Sequence, residues 1–143
     1  MEQALSMTKA LADGNRLRVV MALTTCEELC VCQITEMLGL ATATVSRHMS
    51  LLQNAGLVKS RKDARWVHYR LSETFPPLLS RWIEESAGHS AEIEADRTNL
   101  KAIVSSEPRM LSRAQRRRRE RSQAGPADSD CIGDRQVISK EQS

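Results

Sequence analysis

The chain has 143 residues, enough for one domain with a modest hydrophobic core. Aromatic residues make up only 3% of it, so the core has to be built from aliphatic side chains, methionine and alanine, which favours packed helices over a β-sandwich or barrel. No apolar run approaches the roughly 18 residues that a membrane-spanning helix needs, and the first residues lack the basic start and apolar stretch of a signal peptide. We therefore expect a cytoplasmic protein, in which cysteines are usually free thiols or metal ligands.

The formal net charge of +3 hides an uneven distribution of charge along the chain. Residues 1–104 carry twelve basic and twelve acidic side chains, so the excess lies beyond them. Within this neutral part, residues 47–70 hold six basic side chains and a single acidic one, Asp63. The six are Arg47, Lys59, Arg61, Lys62, Arg65 and Arg70. Such one-sided clustering is typical of a nucleic-acid-binding surface, the alternative being a solvated basic face.

Hydrophobic periodicity predicts two helices at the start of the chain. Apolar side chains recur at helical spacing over residues 4–11, and Asp13-Gly14-Asn15 ends this first helix. The second helix runs from about Asn15 to Thr24 and supplies core contacts. The segment Cys26-Glu27-Glu28 forms a loop after it.

A short helix, a glycine turn and another helix come next. The short helix extends from Leu29 to Leu38 and is closed by Gly39, whose freedom to adopt a left-handed conformation suits a tight turn. The following helix begins with Thr42 as its N-cap and buries one apolar face. This layout is typical of a helix-turn-helix, whose second helix reads base edges in the major groove. The residues of this recognition helix that we expect at the DNA are Thr42, Ala43, Thr44, Ser46, Arg47, His48 and Ser50.

A hairpin is predicted after the recognition helix, where the period of the apolar residues changes from about 3.6 to about 2. Residues 57–62 and 66–71 form its two strands, joined by Asp63-Ala64-Arg65. Lys62 and Arg65 lie at the tip, where they would contact DNA phosphates beside the groove. The hairpin is therefore the wing of a winged helix-turn-helix.

Two further helices are predicted, one opened by Pro76-Pro77 and one after Gly88. Their apolar stripes have little to pack against in so small a domain, apart from the first helix and a second copy of the chain. We therefore expect a homodimer. The fold class is mainly α with a small β-hairpin, a dimeric winged helix-turn-helix over residues 1–104 that binds double-stranded operator DNA.

The composition shifts over residues 105–143. Six of the nine residues from Arg113 to Arg121 are arginine, and the remainder is rich in Gly, Ser, Asp and Gln with little to bury. This composition predicts a basic, disordered tail. Such a tail either adds sequence-independent affinity for DNA by counterion release or simply aids solubility.

Two cysteines, Cys30 and Cys32, are placed ahead of the recognition helix, with Cys26 nearby. Thiolates bind soft ions, and the clustering of the three favours a ligand role. The alternative is that they are ordinary small apolar residues, since free cysteine is often buried. If they are ligands, an ion that binds the sulfurs can change the fit of the adjacent helix to DNA.

Five segments together resemble the arsenic-repressor branch of the ArsR/SmtB family of metal-sensing transcriptional regulators. They are Leu11–Arg18, Glu28–Cys32, Val45–Met49, Gly56–Val58 and Arg65–Leu71. The resemblance implies a dimeric repressor that leaves its operator when a soft ion binds, As(III) or Sb(III) first and Cd(II) or Pb(II) next. Three residues depart from the branch: Gln33 replaces its usual Asp, Ala41 its usual Ser or Thr, and Thr35 the third Cys of its best-known arsenic sensors.

The spacing of Cys30 and Cys32 sets a condition on ion binding. Residues two apart on an α-helix differ by about 200° in direction, whereas two sulfurs on one ion, each about 2.3 Å from it, have to lie within roughly 4.6 Å of each other. An intact helix does not allow this, so we expect ion binding to unwind or tilt the start of the short helix. The expected third ligand is Cys26, with Cys131 as the alternative.

Other functions are weighed on the same residues. The thiols could form a redox or persulfide sensor, in which oxidation links Cys30 or Cys32 to Cys26. A thiol enzyme such as a reductase is disfavoured, because the chain has no Cys-x-x-Cys motif and no phosphate-binding loop. His89 and Glu92 could form half of the zinc site of other family members, but the partner motif upstream is missing. Because the chain has neither a Cys-x-x-Cys motif nor a phosphate-binding loop, we expect no enzymatic activity.

Overall fold

The computed structural model describes residues 1–124, which form seven helices and three strands. The helices are α1 (Glu2–Leu11), α2 (Gly14–Thr25), α3 (Val31–Leu38), α4 (Thr42–Asn54), α5 (Pro77–Ala87), α6 (Ala91–Ser105) and α7 (Pro108–Gln123). The strands are β1 (Leu29–Cys30), β2 (Val58–Asp63) and β3 (Trp66–Leu71). In this range no helix is both long and apolar enough to cross a membrane.

The hydrophobic core lies where α2, α3 and α4 meet the sheet. Its fully buried side chains come from all of these elements and include Val19, Val20, Leu29, Ile34, Val45, Met49, Leu52 and Leu57. The apolar face predicted for α4 is confirmed, since Val45, Met49 and Leu52 are all buried. Gly39 closes α3 with a left-handed backbone (φ 66°), the conformation that the turn requires. The two helices of the helix-turn-helix are therefore held rigidly on one core.

The wing is a three-stranded antiparallel sheet in the order β1-β3-β2. The predicted hairpin is present, with Val58 opposite Leu71 at its base and Asp63 opposite Trp66 near its tip. Strand β1 is the difference from the sequence-based expectation, which placed Leu29 and Cys30 in a helix. Both residues are extended instead, because their backbone pairs with the open side of β3.

The region beyond α6 also differs from expectation. Residues 108–123 form a helix where the sequence predicts a disordered tail. Arg, Gln, Ala, Met and Leu are good helix formers, and proline suits the first helical position. The side of α7 that is partly buried carries Leu111, Ser112 and Gln115, which are spaced three to four residues apart and face α3.

One buried ion pair ties α6 to the helix-turn-helix. Arg18 on α2 donates two hydrogen bonds of 2.7 Å to the carboxylate of Asp96 on α6. The same guanidinium donates to the main-chain carbonyl of Met37 near the end of α3, at 3.3 Å. Asp96 is only 4% exposed, so its charge is compensated inside the protein by Arg18.

Candidate thiol site and DNA-binding surface

Cys30 and Cys32 lie together at the start of α3. Cys30 is the N-cap residue, with an extended backbone (φ −79°, ψ 159°), and Cys32 is in the first turn. Their Cα atoms are 5.4 Å apart and their sulfurs are joined in a disulfide. The expectation that Cys30 and Cys32 lie in one helix with opposed side chains is therefore wrong. The helix begins after Cys30, which leaves the Cys30 side chain free to turn towards Cys32.

Hydrogen bonds fix this first turn of α3. The main-chain N–H of Cys30 donates to the side-chain oxygen of Gln33, at 2.9 Å. The hydroxyl of Thr35 donates back to the carbonyl of Val31, at 2.7 Å. Both residues replace the ones usual in the arsenic-repressor branch, and both have a structural role here. Gln33 takes the N3 position of a capping motif, where a Gln or Glu side chain commonly accepts the N–H of the N-cap.

Cys26 is separate from this pair. It is the C-cap residue of α2, is half-buried, and is a free cysteine. It lines a cavity of about 640 Å³ between the end of α2 and α6, together with Arg97 and Leu100. Over residues 1–124 no three His, Cys, Asp or Glu side chains are grouped so that they could hold a metal ion. Of the three predicted ligands, Cys30 and Cys32 come together and Cys26 does not. The alternative third ligand, Cys131, lies outside the described residues.

The thiol-bearing segment is also part of the wing. Cys30 is paired with His68 of β3, and Leu29 with Tyr69. The preceding residue, Glu28, accepts a hydrogen bond of 2.7 Å from Arg61 of β2, and His68 Nδ1 lies 3.4 Å from the same carboxylate. The hydrogen bonds from Arg61 lower the pKa of Glu28, so this carboxyl is ionised at neutral pH. A displacement of Cys30 therefore acts on both strands of the hairpin.

The recognition helix α4 begins one residue earlier than a Thr42 N-cap implies. Its N-cap is Ala41, whose carbonyl accepts from the N–H of Val45 at 3.1 Å, and Thr42 is the first helical residue. The prediction that Thr42 caps the helix is therefore wrong. The extended backbone of Ala41 (φ −65°, ψ 144°) already starts the helical hydrogen-bond pattern, and no side chain caps the first turn.

The predicted DNA-contacting residues fall into two groups by exposure. Thr42 and His48 are half-buried, and the ring of His48 lies 3.3 Å from the guanidinium of Arg16 on α2, which gives it a packing role between helices. The others are exposed: Ala43, Thr44, Ser46, Arg47, Ser50, Lys62 and Arg65. Arg65 lies over the ring of Trp66, with its guanidinium carbon 4.9 Å from the ring centre. The tip of the wing and the first turns of α4 therefore both carry accessible side chains.

Ion pairs divide the basic cluster of residues 47–70. Lys59 and Arg70 both bind Glu73, which lowers the pKa of that carboxyl to about 2. Arg61 is held by Glu28. The remaining three, Arg47, Lys62 and Arg65, have no acidic partner within residues 1–124. Their charge is therefore available to phosphates, which sequence alone could not distinguish from the charge of the paired residues.

Helix α7 contacts the thiol site, a role that the sequence analysis missed. Gln115 donates a hydrogen bond of 2.9 Å to the main-chain carbonyl of Cys32, and Arg118 lies 3.2 Å from the carboxylate of Glu36. A cleft of about 440 Å³ separates α7 from Cys32 and Thr42. The sequence carries a signal for this helix, since Leu111 and Gln115 lie four residues apart in a stretch of helix formers. The run of arginines instead favoured the prediction of a disordered tail.

A short helix, a glycine turn, an exposed second helix and a hairpin with basic residues at its tip define a winged helix-turn-helix DNA-binding protein. The family model described as "Bacterial regulatory protein, arsR family" matches residues 13–60. The chain belongs to this ArsR family. Its fold and relatives are those of DNA-binding transcriptional regulators of the repressor type and not of enzymes.

Two curated relatives show the similarity. The arsenical resistance operon repressor of Escherichia coli (strain K12) is 40% identical over 82 residues, which cover 57% of this chain and 70% of that protein. The cadmium resistance transcriptional regulatory protein CadC homolog of Staphylococcus aureus is 35% identical over 85 residues, covering 59% of this chain and 68% of the relative. In both comparisons more than 40% of this chain lies outside the matched residues.

Solved structures give the same fold. HlyU from Vibrio cholerae N16961 is 30% identical with a TM-score of 0.56, covering 62% of this chain and 95% of that one. The homodimeric winged helix-turn-helix DNA-binding domain Mb0332 from Mycobacterium bovis is 27% identical with a TM-score of 0.51, covering 59% of this chain and 74% of that one.

Proposed function

We propose that this protein is a repressor that leaves its operator when a soft ion, arsenite or antimonite first, binds the thiolates of Cys30 and Cys32. The observation that carries the proposal is the adjacency of the two sulfurs at the N-terminus of α3. Once the disulfide is reduced, two soft ligands remain in one place, within the roughly 4.6 Å that a shared ion requires. A donor set of thiolates fits As(III), Sb(III), Cd(II) or Pb(II) better than a hard cation.

The names of the relatives support an ion effector but differ on the ion, since one is an arsenical and another a cadmium resistance regulator.

A third thiolate ligand could come from either of the two other cysteines. Cys26 is four residues before Cys30 and reaches it only if the intervening loop bends, whereas Cys131 would have to approach from the C-terminal segment. A site of two thiolates is the remaining arrangement.

The contacts of the thiol segment support a release mechanism. Cys30 belongs to the wing sheet and Cys32 to the helix that packs on α4. An ion that draws both sulfurs into its own geometry therefore shifts the wing and the recognition helix relative to each other. An allosteric coupling of about 1–3 kcal/mol weakens DNA binding by about 5- to 150-fold, enough to free an operator.

We further propose that the repressor binds double-stranded DNA as a homodimer. Large apolar side chains are left exposed on α1, α5 and α6, namely Leu5, Leu78, Trp82 and Val104. The homodimeric state of Mb0332 supports a shared interface. A two-fold dimer would place its recognition helices about one DNA turn apart, ~34 Å, on a near-palindromic operator.

A second candidate function is a redox sensor, which the Cys30–Cys32 disulfide favours. Here a peroxide or disulfide oxidant would accept two electrons and two protons from the thiols, and the new sulfur–sulfur bond would be the signal. The pairing differs from the one expected from sequence, since Cys26 stays free.

One experiment separates the two functions. The protein is bound to a labelled fragment of its own promoter, and release is followed by fluorescence anisotropy in excess phosphine reductant. Arsenite, antimonite, Cd(II) and Pb(II) are each titrated, and a peroxide is titrated after the reductant is removed. Release by an ion under reducing conditions supports the first function. Release by peroxide alone would replace it with the second.

A further inference from the structure

Helix α7 is the most highly charged element among residues 1–124. Its 16 residues contain seven arginines and one acidic residue, Glu120. The only large apolar side chain on its outer side is Met110, so α7 has no apolar face to insert into a membrane. A charge of this density in one helix is suited to a polyanion.

The helix is docked on the helix-turn-helix rather than projecting from it. Leu111 packs against the hydrophobic core, and Gln115 is bonded to the carbonyl of Cys32. Arg118 is paired with Glu36 of α3. These contacts lie along one side of α7 and determine which of its arginines face the recognition helix.

The arginines on the inner side of α7 lie beside the start of α4. Arg116 and Arg119 line the same cleft as Thr42, the first residue of the recognition helix. Arg119 also lines a neighbouring cleft formed by Ala41 and Thr42. This end of a recognition helix is the one that enters the major groove. Phosphates that border the groove would therefore pass close to both arginines.

We propose that α7 is a third DNA-binding element, beside the recognition helix and the wing, and that Arg116 and Arg119 contact phosphates next to the N-terminus of α4. Guanidinium groups match phosphate oxygens with two parallel hydrogen bonds. Arg119 has no acidic partner in the described part of the chain, and Arg116 has only the exposed Glu120 one turn away. The proposal rests on the DNA-binding part of the proposed function and not on the identity of its effector.

The test uses the full chain with Arg116→Gln and Arg119→Gln combined. Glutamine keeps a helix propensity close to that of arginine. The matched control is Arg113→Gln combined with Arg117→Gln, which removes the same charge from the outer side of the same helix. Affinity is measured against salt concentration, for the operator and for a scrambled duplex.

Each phosphate contact contributes about 0.9 to the slope of log affinity against log salt. We expect the inner-side variant to lower that slope by about 1.8. It should also weaken operator and scrambled DNA by the same factor, because phosphate contacts carry no sequence information. The control should change the slope much less. An unchanged slope in the inner-side variant, or an equal change in the control, overturns the proposal. A wild-type protein that binds DNA but ignores arsenite leaves this proposal intact and rejects only the proposed effector.

Discussion

The side-chain amide of Gln115 donates a hydrogen bond to the main-chain carbonyl of Cys32, across 2.9 Å and 83 positions of sequence. It joins the arginine helix α7 to the residue proposed to bind the effector. A hydrogen bond of this kind contributes about 0.5–1.5 kcal/mol. A change at the thiols can therefore alter the docking of α7 without unfolding the domain.

Gln115→Ala should loosen α7 from α3. Loss of about 1 kcal/mol raises the population of the undocked helix roughly fivefold, so the amides of α7 should exchange with solvent faster by about that factor. Hydrogen exchange followed by mass spectrometry measures this. Gln123→Ala, at the exposed end of the same helix, serves as the control. Equal exchange rates in both variants would mean that the Gln115 contact does not hold the helix.

The cysteine variants should separate ligands from bystanders. Cys30→Ser and Cys32→Ser should each keep DNA binding but lose release by arsenite in excess reductant, because a hydroxyl is too hard and too weakly acidic to replace a thiolate. Cys26→Ser should weaken the response strongly if Cys26 is the third ligand, and Cys131→Ser should do little. Anisotropy of labelled operator DNA reports each response. Full release of the Cys32→Ser variant by arsenite would contradict the proposed site.

Arg47 and Lys62 should differ in the kind of DNA contact that they make. Arg47→Ala should cost about 1–3 kcal/mol and relax sequence preference, since Arg47 is exposed on the recognition helix. Lys62→Ala should weaken all duplexes alike and lower the salt slope by about one. Competition between operator and scrambled DNA measures both effects. If both variants lose the same specificity, the division between base and phosphate contacts is wrong.

The exposed apolar residues of α1 and α6 should mark the dimer interface. Leu5→Glu and Val104→Glu each place a charge where we propose contact with the second copy, so sedimentation should show a shift towards monomer at micromolar concentration. Met110→Glu on α7 is the control, since Met110 is at least as exposed but lies on another helix. A wild-type monomer under these conditions would remove the dimer from the proposal.

The stability of the wing should depend on the ionisation of Glu28. Its pKa is below the ordinary value of 4.5 because Arg61 hydrogen-bonds the charged form. The stabilisation is therefore complete above that value and is lost as the pH falls through the lowered pKa. Glu28→Gln should flatten this loss in thermal melts recorded below about pH 5. Glu27→Gln, at the exposed neighbouring position, should retain the wild-type profile.

The parts of the fold that local pattern determines could be predicted from sequence. The periodicity of Val45, Met49 and Leu52 and the glycine turn at Gly39 gave the helix-turn-helix, and the alternation in residues 66–71 indicated the hairpin. Strand β1 could not be predicted, because the extended state of Cys30 comes from pairing with His68, 38 positions away. The docking of α7 likewise depends on α3, which composition does not report.

For the thiol site, the cluster of cysteines could be predicted but its geometry could not. The spacing of Cys30 and Cys32 suggested opposed side chains only if both residues were helical. The helix starts at Val31, two residues later than predicted, which reverses that conclusion. Similarly, a cluster of six basic residues could be predicted, and only the ion pairs with Glu28 and Glu73 show which of them are neutralised.

Strand β2 is the outer strand of the wing, since the sheet has the order β1-β3-β2. An outer strand exposes unpaired backbone groups that can template the strand of another molecule. In this chain Lys59, Arg61 and Lys62 occupy three of its six positions, and all are exposed. A second strand that paired here would have to desolvate these charged side chains, so they also protect the hairpin from self-association. Replacing them with neutral β-branched residues would therefore reduce solubility, and the loss of Lys62 would also weaken DNA binding.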